Sequence, residues 1–214
     1  MEKILSLEEA GDEERVGAKA ASLSRLSEVT RVPKGFVITS NAFRRFLEEN
    51  GIKDRILSIL SRMHIDDREE IEDASRKIDK LFDDARISED LKERITEAYK
   101  DFVISSEAKK AGQKAMELIK AGREKPPVVV RSSPKRDGGS CPGIYESSLN
   151  VKGDDNLVEE VKEIWKSFYS PEAIYYREKI GHAHDVPFGV LVQKMIEADK
   201  SGVFLERNPC DPKN

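Results

Sequence analysis

The sequence predicts an α+β fold: antiparallel β-hairpins with flanking helices, and a helical segment over about residues 52–122. Three observations carry this expectation. Residues 128–130 are a β-branched run, and residues 144–151 alternate so that Tyr145, Ser147, Leu149 and Val151 share one face. Both read as strands, separated by a loop rich in glycine and proline. Residues 188–196 read as a third strand, with a turn at 197–201 and a returning strand at 202–205. Before these strands, apolar residues recur three and four apart, the period of helices with one buried face.

Taken in order, Ile4, Leu5 and Leu7 open the chain as a short strand or turn ahead of an acidic loop. From Val16 the pattern turns helical, with Ala20, Leu23 and Leu26 on one face. Val32 to Gly35 is a turn, and residues 36–38 are a short buried strand. Ser40 or Asn41 caps a helix carrying Phe43, Phe46 and Leu47, closed by Asn50 and Gly51. Four stripes follow: Ile56, Ile59, Leu60 and Met63; Ile71, Ala74, Ile78, Leu81, Phe82 and Ala85; Leu91, Ile95, Ala98 and Phe102, capped by Ser88; and Ala108, Ala111, Ala115 and Leu118. Their outer faces are charged, so this region contributes packing and no chemistry. Residues 122–127 break the helical pattern and suggest two units, 1–125 and 126–214, the second β-rich. Beyond Val151 a helix buries Leu157, Val161, Ile164, Trp165 and Phe168. Another starts at Ser170 and Pro171, carrying Ile174, Tyr175 and Tyr176. No basic stripe interleaves these aromatics, so they read as core and not as a base-stacking platform.

Charged residues make up 36% of the chain, yet they nearly cancel to a net charge of −4. A nucleic-acid or membrane-surface binder needs a basic excess that is missing here. No apolar run reaches the length of a membrane span and no signal-peptide core follows Met1, which predicts a cytoplasmic protein without a membrane partner. Cys141 and Cys210 are far apart and read as free thiols. His182, His184 and Asp185 lie in a loop with no third ligand in evidence, so no metal site is assigned.

Chemistry concentrates at residues 131–147. Residues 134–143 hold three glycines, two prolines, Ser140, Lys135 and Arg136. Small residues let backbone N–H groups approach an anion, and the cations neutralise it. Arg131, at the strand end, adds a bidentate donor for phosphate. The same residues also suit a plain surface hairpin loop, and local pattern leaves both readings open. Lys19, just inside a helix start behind Gly17, combines an ammonium with free N–H groups and a favourable dipole, or is an ordinary surface lysine.

The stretch Val-Arg-Ser-Ser at 130–133, with Leu-Asn-Val at 149–151, resembles a signature of the ATP-grasp domain of phosphoenolpyruvate synthase and pyruvate phosphate dikinase. Three further stretches match that family in order: Gly-Ala-Lys-Ala-Ala-Ser-Leu at 17–23, Val-Pro-Lys-Gly-Phe-Val-Ile-Thr at 32–39, and Val-Leu-Val-Gln-Lys-Met at 190–195, the last followed by Ser-Gly-Val-Phe and Asn-Pro. The resemblance implies the N-terminal portion of an ATP-grasp fold, with residues 126–214 as a nucleotide-binding subdomain. It implies that Lys19 and Arg131 contact ATP phosphates as the catalytic basic pair. It assigns Gly143 and Ser147 to the phosphate loop and Gln193 to the adenine side. The implied reaction is phosphoryl transfer from ATP to a histidine on a separate, downstream phosphohistidine or pyruvate-binding domain, where catalysis is mostly positioning and charge neutralisation. Magnesium is the implied metal, with ligands expected in a C-terminal half beyond Asn214, so this chain alone is expected to be inactive. The loop departs from the family pattern, being shorter and reading Cys-Pro-Gly at 141–143. Lys135 and Arg136 are expected to offset lost contacts. A non-pyruvate acceptor, or a non-catalytic partner protein that keeps the fold, are the alternatives.

Overall fold

The computed structural model describes residues 3–107, 125–135, 144–181 and 187–202. Its α+β architecture is one five-stranded sheet with helices on both faces. The strands are β1 (Ile4–Ser6), β2 (Gly35–Ile38), β3 (Val128–Pro134), β4 (Ser147–Val151) and β5 (Phe188–Lys194). Their spatial order is β1-β2-β5-β3-β4 and every pairing is antiparallel. β2 and β5 come from opposite sides of residue 125 and pair directly, so residues 1–125 and 126–214 share one sheet.

β5 is the central strand, which explains why it carries an almost unbroken apolar run and is buried on both faces. Phe188, Val190 and Val192 point into a large core with Phe36, Ile38, Val128 and Val130. Leu191 points the other way and packs with Val37, Leu5, Val16, Ala20 and Ala21 in a smaller core. The period of two thus builds two layers from single strands.

The large core is closed by α2 (Ser40–Glu49), α3 (Lys53–Leu60), α4 (Arg68–Asp84), α5 (Glu89–Glu107), α6 (Asp154–Ser167) and α7 (Pro171–Lys179). Its centre is aromatic. Trp165 lies 5.5 Å from Phe43 and 5.0 Å from Phe46 between ring centroids, and Phe168 lies 4.7 Å from Phe188. Trp165→Ala is expected to cost about 3–5 kcal/mol, read as a lower urea midpoint at an unchanged slope. An unchanged midpoint would show that these contacts do not hold the fold.

The smaller core is closed by α1 (Glu13–Ser27), capped by Asp12, whose carboxylate accepts from Glu14 N–H. α1 begins ahead of the expected Val16, and its ladder is interrupted at Gly17 (φ 78°, ψ 168°), so a second helical segment starts at Ala18.

Several local expectations are corrected. Residues 144–151 do not alternate throughout. The strand begins at Ser147, and its register shifts by one residue between Val128↔Val151 and Val130↔Ser148. The shift is a β-bulge, with Asn150 at φ 60°, and it turns Leu149 out to solvent. Thr39, not Ser40 or Asn41, is the cap residue of α2. Ser88 precedes α5 as expected, but its buried hydroxyl makes no capping bond. Tyr175 and Leu26 are exposed rather than inward. β5 stops at Lys194, two residues before the expected end. The fourth apolar stripe, Cys141, Cys210, His182, His184 and the strand expected at residues 203–205 lie outside the described residues. Among the described residues, no helix is long and apolar enough to cross a membrane.

Candidate functional site

The site is built where α1 meets the end of β3. Along β3, Val128, Val130 and Ser132 are buried against the large core side, so Val129, Arg131 and Ser133 face the α1 side. Paired residues across antiparallel strands share a face. Arg131 is paired with Leu191 of β5 and with Ser147 of β4, while Gln193 is paired with Val129 and with Gly35. Arg131, Ser147 and Gln193 therefore lie on one face of three neighbouring strands, the face that α1 covers.

Close approach of α1 to this face depends on glycines. A Cβ on Gly17 would stand 1.7 Å from the Ser133 carbonyl oxygen, and one on Gly189 would stand 2.4 Å from the Val16 carbonyl oxygen. With both backbones in contact, Ala20 N–H, in the first turn after the kink, donates to the Ser133 hydroxyl (3.0 Å). Lys19 Nζ donates to the Ser132 carbonyl (2.7 Å). Burial, together with the positive charge of Arg131, lowers the Lys19 pKa to about 8. Among the described residues no carboxylate pairs with Lys19 or Arg131. Two nearby cations with no acid partner among the described residues are an arrangement that a bound anion would stabilise.

The other assigned residues are placed less directly. Ser147 is exposed at the start of edge strand β4, opposite Arg131. Gln193 is buried, and its amide Nε2 donates to the Pro33 carbonyl (2.8 Å), which ties it to the turn before β2. Gly143 and Arg136 lie outside the described residues. Lys135, expected to compensate for the altered loop, is paired with Glu14 at 2.5 Å, and its N–H donates to the Pro187 carbonyl (2.9 Å). Its charge is therefore already partly neutralised.

Sequence reasoning gave no role to Ser133 or Gly189. Ser133 was findable: it is two residues from Arg131 on a strand, hence on the same face. Gly189 had no local signal, since its constraint comes from Val16, far away in sequence.

Residues 13–214 match the family model described as pyruvate phosphate dikinase, AMP/ATP-binding domain. The chain is 36% identical over 203 residues to a probable phosphoenolpyruvate synthase of Methanocaldococcus jannaschii, covering 92% of this chain and 16% of that protein. It is 36% identical over 200 residues to the phosphoenolpyruvate synthase of Aeropyrum pernix (91% and 23%). The corresponding protein of Neisseria meningitidis is 34% identical over 205 residues (91% and 24%). The chain thus spans less than a quarter of the length of these relatives.

Proposed function

The chain belongs to the family of pyruvate phosphate dikinase AMP/ATP-binding domains, and from that premise we propose that it positions ATP for phosphoryl transfer to a histidine on a separate domain. The observation that carries this is that Lys19, bonded to the Ser132 carbonyl, lies within the electrostatic influence of Arg131, with no acid partner for either among the described residues. In this assignment Lys19 and Arg131 hold ATP phosphate oxygens, Arg131 by its planar fork and Lys19 as a point charge. Ser147 approaches the phosphates from β4, Gly143 is assigned to them by the motif resemblance alone, and Gln193 sits on the adenine side. The histidine, and pyruvate as final acceptor, belong to a downstream domain or subunit in the cytoplasm. Phosphoenolpyruvate synthases are the relatives this chain resembles, which supports pyruvate over other acceptors.

Magnesium accompanies ATP in such a reaction, but the described residues contain no group of three or more His, Cys, Asp or Glu that could hold it. No step is assigned to a protein-bound metal here. The chain's own contribution is to bind the nucleotide, orient its phosphates and neutralise their charge.

Calorimetric titration with Mg-ATP tests the assignment. The native chain is expected to bind, and Lys19→Ala to bind at least about tenfold more weakly, the loss of one charge-assisted contact. The pH dependence gives a second signature. With the free-state pKa at about 8, Lys19 is charged at pH 7 and loses its proton as pH rises. Phosphate binding favours the charged form, so affinity is expected to be level below pH 7. Above pH 8 it should fall by up to about tenfold per unit. Lys19→Arg should flatten the profile. A native profile level from pH 7 to 9.5 would remove Lys19 from the phosphate site.

A further inference from the structure

Arg177, on α7, is 2% exposed, and its guanidinium is packed among aromatic side chains. Its guanidinium carbon lies 3.8 Å from the centroid of the Phe168 ring and 5.9 Å from that of Tyr169. Its Nη1 donates to the Tyr145 hydroxyl at 3.3 Å. Tyr145 in turn stacks on Phe168, with 6.0 Å between centroids and 10° between planes, and tilts against Phe188 of β5 at 5.4 Å. The guanidinium, the phenol and the Phe168 ring form one closed cluster in which each member contacts the other two.

This cluster is costly if it serves packing alone. Burial pulls the Arg177 pKa down, which marks the desolvation of its charge. A methionine would fill comparable volume without that cost. The return lies in what Tyr145 leads into. Two residues after it, Ser147 opens β4 opposite Arg131. β4 is an edge strand, and its register is interrupted by the Asn150 bulge immediately after Ser148. Only the Val130↔Ser148 and Arg131↔Ser147 pairs, with a long Ser132 N–H to Glu146 carbonyl bond (3.4 Å), hold its first residues to β3. So short a ladder does not by itself fix register.

We propose that Arg177, acting through Tyr145, is a positioning residue that holds the start of β4 in register, so that Ser147 stays opposite Arg131 on the α1 face. A cation–π contact to Phe168 and a directional bond to the Tyr145 hydroxyl lock the ring's tilt, which apolar packing alone does not do. The consequence for nucleotide binding rests on the function proposed above. The effect on β4 does not.

The test uses the 214-residue chain and the variants Tyr145→Phe and Arg177→Met, with Ile78→Val in α4 as a control for general destabilisation. Tyr145→Phe keeps the ring and removes only the hydroxyl, so folding is preserved even if Arg177→Met is not tolerated. Backbone hydrogen exchange over residues 144–148 is read first. It is expected to rise at least about fivefold in Tyr145→Phe, while α4 and β5 stay protected. Mg-ATP affinity is then expected to fall about tenfold, a displacement effect on Arg131 and Ser147. Ile78→Val should lower the melting temperature and leave both readings unchanged. Unchanged exchange at 144–148 in a folded Tyr145→Phe variant overturns the proposal, and so does an equal loss of affinity in Ile78→Val. If the native chain binds no Mg-ATP, the nucleotide assignment fails, and exchange at 144–148 still decides whether Arg177 positions β4.

Discussion

Arg131→Ala is expected to weaken Mg-ATP binding by roughly 30- to 100-fold without lowering the stability of the chain, a combination few mutations of a half-buried residue produce. The loss follows from the guanidinium's two parallel donors, each charge-assisted and aimed from a strand fixed on both sides by β5 and β4. The preserved stability follows from its surroundings. Among the described residues no carboxylate is orphaned by its removal, and Arg131 helps to lower the Lys19 pKa. Removing Arg131 therefore relieves a repulsion. The Lys19 pKa should move up from about 8 toward the ordinary lysine range, and thermal stability near pH 7 should hold or rise slightly. Arg131→Lys should recover part of the affinity, because a lysine restores charge without the bidentate geometry. Calorimetry and thermal melts on the three proteins decide it. A variant that keeps its affinity but loses stability would make Arg131 a structural residue and remove the basis of the phosphate site.

The elements were legible where one period dominates. The stripes ending in Ala85 and Phe102 are α4 and α5 because their apolar positions recur at helical spacing and each helix buries a single face. β5 was legible as a strand from Phe188, though the expected end at residue 196 overran the observed Lys194. What could not be read was set by contacts distant in sequence. The Asn150 bulge breaks an alternation that looked clean, because pairing to β3, not side-chain pattern, sets the register of β4. Lys135 looked like a free cation for the loop, and its pairing with Glu14 arises only when α1 docks. Of the site, Lys19 and Arg131 emerged from a motif resemblance. The burial of Lys19 and the nearby charge of Arg131, which together lower its pKa, required the fold. Arg177 drew no reading from the sequence, and only packing shows it buried beside Tyr145 and Phe168.

Gly17→Ala is expected to be the most damaging single methyl addition in the described chain. Two independent effects coincide there. The backbone sits at φ 78°, ψ 168°, a region that residues with a Cβ essentially do not occupy, at a cost of about 1–3 kcal/mol. The added Cβ would also stand 1.7 Å from the Ser133 carbonyl oxygen and 2.4 Å from its carbon. Those are backbone atoms of a strand held by β5, so they cannot rotate away. α1 must withdraw from the sheet, breaking the Ala20 to Ser133 and Lys19 to Ser132 hydrogen bonds and opening the smaller core around Leu191. The summed loss should exceed about 4 kcal/mol, which a domain of ordinary stability barely survives. Gly51→Ala is the matched control. Gly51 also has positive φ, at 62°, but nothing lies within 4 Å of its added Cβ, so only the backbone cost of about 1–2 kcal/mol applies. Urea unfolding of both variants separates the two contributions. Equal losses would mean that contact between α1 and β3 adds nothing beyond local conformation. A larger loss in Gly17→Ala, with Mg-ATP binding abolished wherever the variant still folds, would tie the phosphate site to that contact, since Lys19 reaches the Ser132 carbonyl of β3 where Gly17 lets the two backbones touch.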